Sequence, residues 1–187
     1  MTTVIAYQGP DFAILGADSQ ITDGDRIVLS PSTPKIVKVG KYLLGVRGDA
    51  RAGDVLMYSW KPPLYDGTDP VKFMGKKIIP SIIAAFRANS YDFDKDAAMF
   101  GFILAFAGNV FEIGSDMSIS QNIDGIYAIG SGSDYALGVM QYALAFERGI
   151  AGATAQSVTD AIECALTISA KYDINTSAPF QIEVQRV

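Results

Sequence analysis

Thr2 has the most reactive position in this sequence, because it becomes the first residue once Met1 is removed. Methionine is normally trimmed when the next residue is as small as threonine. A terminal threonine carries both a hydroxyl and a free α-amino group, and the amine titrates near neutral pH, so it can take the hydroxyl proton. The chain has no histidine, the commonest general base near neutral pH. These features predict that Thr2 is a nucleophile whose own amine is the base.

Residues that bind metals or form disulfides are scarce. Cys164 is the single cysteine, so an intrachain disulfide is excluded, and its helix-like surroundings predict a small core residue. One cysteine without histidine excludes a zinc site of the usual type. Carboxylates could still bind magnesium or calcium, although no compact group of Asp and Glu has EF-hand spacing. We therefore expect neither a metal nor another cofactor.

The composition is that of a soluble globular protein. Of the 187 residues 49% are apolar and 19% charged, which fits one domain over residues 1–187. The net charge of −5 argues against nucleic acid or an anionic membrane as the main partner. The longest apolar run, Ala97–Ala107, is shorter than the about 20 residues that span a bilayer. Because the N-terminus lacks a cationic start and contains Asp11 and Asp18, it does not resemble a signal peptide, and we expect a cytoplasmic protein.

The first half of the sequence predicts strands and then helices. Apolar and β-branched runs between turn residues favour strands, and the predicted ones are Thr3–Gln8, Phe12–Ala17, Ile27–Leu29, Lys35–Val39 and Tyr42–Val46. A helix is predicted from about Asp49 to Tyr58. Asp69 followed by Pro70 is typical of a helix start. Pro80, inside the apolar helix that follows, predicts a kink or two shorter helices.

The second half repeats this order. The predicted strands are Met99–Phe106, Val110–Ile113, Ile126–Ile129 and Phe180–Val187. Gly108-Asn109 between the first two is a hairpin signal. Helices are predicted over Asp134–Arg148 and Thr154–Tyr172. Apolar and small residues recur at helical spacing in the second helix, namely Val158, Ala161, Ile162, Ala165 and Ser169.

The order of these elements indicates the fold class. Strands do not alternate with single helices, so a parallel doubly wound sheet is not expected. Strand pairs interleaved with helix pairs fit an α+β fold in which two antiparallel sheets face each other and helices cover their outer sides. We therefore predict a four-layer αββα sandwich.

Several motifs, taken together and in order, resemble the proteasome β-subunit and HslV family of N-terminal nucleophile hydrolases. The resemblance covers nearly the whole chain. Each match alone is weak, but together they occur in the same order along the chain as in the family, and this makes the resemblance specific. The matching segments are Thr2-Thr3-Val4, Gly16–Thr22, Lys35–Val39, Gly45–Ala50, Ala128–Ser133 and the pair Asp173 and Thr176. The start directly at the predicted nucleophile resembles HslV or a simple bacterial β-subunit.

The resemblance implies catalytic roles for residues around Thr2. Lys35 would lie beside the Thr2 hydroxyl, where its ammonium favours the alkoxide and lowers the proton affinity of the amine. Asp18 would pair with Lys35 and fix its charge and direction. The backbone N–H of Gly45 would stabilise the oxyanion, a contribution of about 3 kcal/mol.

A second group implied by the resemblance would hold the amino terminus and its water by hydrogen bonds. Its members are Ser131, Asp173 and Thr176. Asp173 follows a predicted helix, where the helix dipole disfavours an acid, and this placement supports a special role.

The resemblance also implies a first specificity pocket lined by Ile21, Val37, Leu43 and Arg47. These residues are apolar apart from one cation. We therefore predict cleavage after apolar or mixed residues, and after acidic residues if Arg47 points inward.

The implied activity is that of a threonine endopeptidase subunit in a homo-oligomeric ring, a hexamer or heptamer stacked in pairs. An ATPase unfoldase would feed peptides or unfolded proteins to this ring. Two alternatives stay open. One is a small-molecule amidase of the same fold, which differs in substrate access. The other is a non-catalytic assembly subunit that keeps Met1, which an intact mass would reveal.

Overall fold

Two antiparallel sheets lie face to face in the computed structural model, which describes residues 2–23, 26–29, 32–92, 100–146 and 152–186. Within these ranges the strands are β1 (Thr3–Gln8), β2 (Phe12–Ala17), β3 (Gln20–Asp23), β4 (Arg26–Leu29), β5 (Ile36–Val39), β6 (Tyr42–Arg47), β7 (Gly101–Phe106), β8 (Asn109–Ile113), β9 (Ile119–Ser120), β10 (Ile126–Gly130) and β11 (Gln181–Arg186). Every predicted strand is present, with small shifts at its ends. The short strands β3 and β9 were not predicted.

The first sheet brings the start of the chain to one end of the sandwich. Its order is β10-β1-β2-β11, and the neighbouring strands are antiparallel. In this register Thr3 pairs with Gly130, and Val4 pairs with Ala17. The beginning of β1 therefore lies between the end of β2 and the end of β10, and Thr2 comes next to the turn that follows β10.

The second sheet has the order β5-β6-β7-β8-β9, again with antiparallel neighbours. The predicted hairpin of β7 and β8 is confirmed, because Phe106 pairs with Asn109 across the turn. β3 and β4 form a separate hairpin. This hairpin lies between β2 and β5 in the sequence, beside the start of the second sheet.

The helices of the described residues are α1 (Ala50–Asp54), α2 (Pro70–Phe73), α3 (Ile79–Ala88), α4 (Ser133–Phe146) and α5 (Ala155–Tyr172). The π-helical turn Val55–Ser59 continues α1, and Met74–Ile78 joins α2 to α3 in the same way. The side chains of Asp49, Asp69 and Thr154 cap α1, α2 and α5. Each accepts a backbone N–H that has no partner inside its helix.

Pro80 lies in the first turn of α3. The helical backbone continues without a break from the π-helical turn into α3, so the missing N–H of proline leaves a carbonyl one turn earlier without its usual donor. The sequence predicted a kink or two shorter helices here. The structure has two short α-helical stretches joined by a π-helical turn within one helical segment.

Clusters of buried apolar side chains fill each interface between the layers. Val4, Leu15 and Ile103 belong to the cluster between the two sheets. Helices α4 and α5 cover the first sheet, where α5 contributes Ile162 and Leu166. The helical region from α1 to α3 covers the other face of the second sheet. The predicted four-layer αββα sandwich is confirmed.

Cys164 is exposed, so the prediction of a core cysteine is wrong. The neighbouring residues Ala161 and Ala165 point into the core, and the helical period then turns Cys164 to the outer side of α5. The predicted element ends at Met99, Arg148 and Val187 lie outside the described residues. Across the described part of the chain, no helix is both long and apolar enough to cross a membrane.

Candidate active site

A cavity of about 300 Å³ opens beside Thr2, at the end of the sandwich where β1 begins. Residues of β3, the segment just before β5, the end of β6 and α1 form its walls. The Thr2 residue itself is 6% exposed. Residues that share the cavity with Thr2 include Ile21, Thr33, Lys35, Arg47, Gly48 and Asp54.

The turn after β10 holds the backbone of Thr2. The N–H of Ser131 donates to the carbonyl oxygen of Thr2 at 3.0 Å. Gly130 has a φ of 108°, a conformation that favours glycine. A Cβ at Gly130 would lie 1.7 Å from the carbonyl oxygen of Thr2. Both the backbone conformation and the close approach of the two segments therefore require glycine.

Lys35 and Asp18 form a buried ion pair next to the cavity. The Nζ of Lys35 donates to Oδ1 of Asp18 at 2.8 Å and to the carbonyl oxygen of Gln20 at 2.6 Å. The other carboxylate oxygen of Asp18 accepts the N–H of Gln20 at 2.9 Å. The structure thus brings together the two residues that were expected to pair.

The surroundings of Lys35 act on its charge in opposite directions. Burial lowers the pKa of Lys35 below its usual range, while the Asp18 carboxylate, and more weakly Asp173, oppose this shift. An ammonium at this place is stabilised by these carboxylates and by the carbonyl oxygen of Gln20. Lys35 and Thr2 both line the cavity.

Ser131, Asp173 and Thr176 form a second polar cluster. Oγ of Ser131 donates to Oδ2 of Asp173 at 2.7 Å, and Oγ1 of Thr176 donates to the same oxygen at 2.6 Å. The N–H of Asn175 donates to Oδ1 at 3.3 Å. Burial alone would raise the pKa of Asp173, but the hydrogen bonds hold it below its usual range. The carboxylate is therefore ionised near neutral pH, although it directly follows the C-terminus of α5.

Gly45 lies away from the cavity, in the middle of β6, where it pairs with Ile103 of β7. The N–H of the next residue, Val46, donates toward β5, to the carbonyl oxygen of Lys35 at 3.0 Å. Because N–H groups alternate sides along a strand, that of Gly45 points toward β7 within the sheet. A Cβ at Gly45 would lie 2.7 Å from Cγ1 of Val4. The expected oxyanion role is thus corrected, since Gly45 makes room for packing between the sheets.

Gly48 lines the cavity in its place. It follows the last residue of β6 and precedes Asp49, the N-cap of α1. Its φ of 87° favours glycine. Within the described residues no backbone hydrogen bond engages its N–H. Both glycines belong to the Gly45–Ala50 segment, so the sequence signal was present, but only the strand register distinguishes them.

Two of the residues expected in the specificity pocket, Ile21 and Arg47, line the cavity. The other two do not, and the expectation is corrected for both. Leu43 is buried between the two sheets. Val37 packs against the helix-covered face of the second sheet. Side chains alternate faces along a strand, so neither residue can turn toward a cavity at the end of the sandwich.

Helix α1 and its extension contribute cavity residues that the sequence did not mark. Ala50, Gly53, Asp54 and Met57 all line the cavity. They follow one another at helical spacing, which places them on one side of the helix. This spacing is visible in the sequence, but which side faces the cavity depends on how the helix packs on β6.

Arg47 lies at the end of β6, two residues after Gly45. A Cβ on Gly101 would lie 3.2 Å from the Nε of Arg47, so this glycine makes room for the guanidinium. Burial raises the pKa of Glu112, and the positive charge of Arg47 opposes the shift. The guanidinium therefore acts electrostatically on Glu112 while its residue also lines the cavity.

Metal ligation has no support in the part of the chain that the structure describes, which contains no group of three or more Cys, Asp or Glu side chains able to hold an ion. The polar residues around the cavity carry hydroxyls, carboxylates, the amide of Gln20, a lysine and an arginine.

Solved structures with the same fold match this chain along its whole length. BPH of Thiobacillus denitrificans, in complex with epoxomicin, has a TM-score of 0.78 and 20% identity, covering 99% of this chain and 98% of that chain. A second structure of that BPH has a TM-score of 0.76 at 19% identity, with the same coverage. The eukaryotic HslV of Trypanosoma brucei has a TM-score of 0.68 at 19% identity and matches over 100% of both chains.

These likenesses confirm the predicted resemblance to HslV-like proteins at the level of the fold. A scan against family models and a sequence search of curated proteins find no match. At 20% identity or less, the chemistry of this chain has to be argued from its own residues.

Proposed function

We propose that this chain is a threonine-type endopeptidase subunit of a proteasome-like ring protease, with Thr2 as its nucleophile after removal of Met1. The observation that carries the proposal is the buried ion pair of Asp18 with Lys35, a residue that lines the cavity together with Thr2. A buried ion pair is weak evidence for stability, because desolvation offsets its attraction. Because Lys35 and Thr2 line the same cavity, the pair supports a role in activating the Thr2 hydroxyl.

The proposed reaction proceeds through an ester. The α-amino group of Thr2 takes the hydroxyl proton, directly or through a water, and the oxygen attacks the carbonyl carbon of a peptide bond. The ammonium then returns this proton to the leaving amine as the C–N bond breaks. Water, deprotonated by the same amine, attacks the ester carbon. As the C–O bond to Thr2 breaks, the ammonium returns this proton to the Thr2 oxygen, which releases the carboxylic acid and restores the hydroxyl. The Lys35 ammonium favours the alkoxide character of Thr2, and Asp18 keeps that ammonium charged and directed.

We assign stabilisation of the oxyanion to the backbone N–H of Gly48 instead of that of Gly45. Gly48 lines the same cavity as Thr2, whereas the N–H of Gly45 points into the sheet. A preorganised N–H donor contributes about 3 kcal/mol to the stability of the transition state.

Ser131, Asp173 and Thr176 are proposed to orient the amino terminus and its water. The N–H of Ser131 already binds the carbonyl oxygen of Thr2. Asp173 carries a negative charge that stabilises the ammonium formed when Thr2 gives up its hydroxyl proton.

The proposed substrates are peptides and unfolded proteins. Ile21 and Met57 give the cavity an apolar wall, while Arg47 and Asp54 place opposite charges at it. This lining supports cleavage after apolar or mixed residues. A panel of peptides varied at the residue before the cleaved bond tests this preference, and strict cleavage after Lys or Arg would contradict it.

Assembly into a ring, a hexamer or heptamer stacked in pairs, belongs to the same proposal, as do an ATPase partner and a cytoplasmic location. The likeness to the HslV of Trypanosoma brucei supports it. Ile27, Val28 and Leu29 of β4 are exposed, and adjoining exposed apolar side chains favour contacts with a neighbouring copy. Native mass spectrometry measures the number of subunits, and a monomer at micromolar concentration would contradict the ring.

Epoxomicin, the molecule bound in the BPH structure, is a suitable probe of the nucleophile. We expect the intact mass to show loss of Met1 and addition of one inhibitor on Thr2, together with loss of peptide hydrolysis. A Thr2→Ala variant should fold but neither react nor hydrolyse peptides. Thr2→Ser, which keeps a hydroxyl, is the matched control and should retain activity.

Three outcomes separate the alternatives. A homogeneous protein that keeps Met1, with no adduct and no activity, would indicate an assembly subunit. Hydrolysis of small amides without peptides would indicate an amidase of the same fold. A fully active Thr2→Ala variant would overturn the threonine mechanism.

A further inference from the structure

Thr3 contacts both polar clusters of the site. Its N–H donates to Oδ1 of Asp18 at 2.9 Å, the same oxygen that accepts Lys35. Its hydroxyl lies 2.6 Å from Oγ1 of Thr176, which is bound to Asp173. Thr3 is completely buried. One residue, adjacent to the nucleophile, is thus tied to two carboxylates by two different groups.

The direction of the hydroxyl chain follows from the number of protons. A threonine hydroxyl has one proton to donate, and that of Thr176 goes to the carboxylate of Asp173. Oγ1 of Thr176 can therefore only accept from Thr3. The hydroxyl of Thr3 is the donor at the start of a chain that ends on Asp173, so its rotamer is determined by that contact.

The surrounding backbone leaves space for this chain. A Cβ at Gly132 would lie 2.3 Å from Oγ1 of Thr3 and 3.1 Å from Oγ1 of Thr176. The hydroxyl of Thr3 thus occupies the volume that a side chain at position 132 would need. The second glycine of the turn after β10 makes room for the Thr3 hydroxyl, as Gly130 does for the Thr2 carbonyl.

We propose that Thr3 is a positioning residue for Thr2: its N–H and its hydroxyl together fix the first peptide unit between Asp18 and Asp173. The inference rests on the proposed threonine mechanism. Thr3 is fully buried and does not contact the substrate. With both contacts made, the peptide unit that joins Thr2 to β1 cannot rotate, so Thr2 keeps its place in the lining of the cavity. A displacement of about 1 Å at a reacting group can cost about 100-fold in rate.

The test compares Thr3→Val with Thr3→Ser on a fluorogenic peptide. Valine keeps the shape of threonine but lacks the hydroxyl, whereas serine keeps the hydroxyl. We expect Thr3→Val to lower kcat by at least about tenfold with KM changed less than about twofold, since orientation and not binding is lost. Thr3→Ser should retain most of the wild-type kcat. The intact mass of each variant checks that Met1 has been removed.

Matched variants separate positioning from folding. Thr159→Val makes the same change on α5, where the hydroxyl donates to the carbonyl oxygen of Ala155 at 2.8 Å, and it should leave kcat unchanged. If Thr3→Val does not fold, Thr3→Ala replaces it, because Ala and Ser differ only by the hydroxyl. Should neither fold while Thr3→Ser does, the hydroxyl serves folding and the inference is overturned.

Two further results would also overturn it. One is a kcat of folded Thr3→Val within about twofold of the wild type. The other is a Thr3→Ser variant as impaired as Thr3→Val. Failure of the proposed function is distinguishable from both, because it appears as an inactive wild-type protein or an active Thr2→Ala variant.

Discussion

The Cα of Gly130 and the carbonyl oxygen of Thr2 lie so close that a Cβ on the glycine would be 1.7 Å from the oxygen. The segment at the end of β10 thus holds the backbone of Thr2, the proposed nucleophile, through backbone contacts. Any side chain at position 130 must displace Thr2 or the turn, and the φ of 108° adds strain for every residue other than glycine.

Gly130→Ala is therefore expected to reduce peptide hydrolysis by at least about 100-fold and to destabilise the protein by about 1–3 kcal/mol. Gly138→Ala is the matched control. Gly138 lies in α4, and a Cβ added to it would meet no neighbouring side chain within 4 Å, so alanine there should be neutral or stabilising by about 0.5–1 kcal/mol. Steady-state kinetics and urea unfolding measure both effects. Wild-type kcat in Gly130→Ala would contradict the tight placement of Thr2.

Removal of Lys35 should affect activity and stability in separable ways. Lys35→Met abolishes the predicted activation of Thr2 and leaves the Asp18 carboxylate buried without its cation, so the free energy of unfolding should fall by about 3 kcal/mol or more. The double variant Lys35→Met with Asp18→Asn removes the unpaired charge. It should regain stability in urea unfolding yet stay inactive. Retained activity in folded Lys35→Met would remove the lysine from the mechanism.

Asp173 should make stability depend on pH in the acid range. Its pKa is lower in the folded than in the unfolded protein, so it contributes stability above its unfolded pKa, near pH ~4. That contribution is lost as the pH falls through the lower folded pKa. The difference in unfolding free energy between the wild type and Asp173→Asn should thus be largest near pH ~6 and shrink below pH ~4. A difference that does not vary with pH would show that the carboxylate charge is not what matters.

Alanine substitutions at Gly45 and Gly48 should have different effects: the first should lower stability and the second should lower kcat. Gly45→Ala pushes a Cβ against Val4, so it should lower the thermal midpoint while kcat per inhibitor-titrated site stays near wild type. Gly48→Ala strains a backbone with a φ of 87° at the cavity, and kcat should fall by at least about tenfold. The reverse pattern would restore Gly45 as the oxyanion donor.

Most of the architecture was predictable because it depends on local patterns. Turn residues separate the apolar runs that become β1 and β2, and the helical spacing of Val158, Ile162 and Ala165 matches the buried side of α5. Where local pattern is weak, prediction failed. β9 is only two residues long, and a core position for Cys164 is wrong because the same helical period turns it outward.

The sequence by itself determined which residues the candidate site contains: a threonine next to Met1, no histidine, and Lys35, Asp18, Ser131, Asp173 and Thr176 in an order that resembles the HslV family. It did so because these residues occur in recognisable local segments. Which of the two glycines lines the cavity, Gly45 or Gly48, depended on the tertiary structure, since Gly45 lies within the paired part of β6. The exclusion of Val37 and Leu43 likewise followed from which face of the sheet each one occupies. Thr3 contacts Asp18 and Thr176, which are far from it in the sequence. These contacts form only in the folded chain, where β1 lies between β2 and β10. Local sequence patterns therefore cannot predict them.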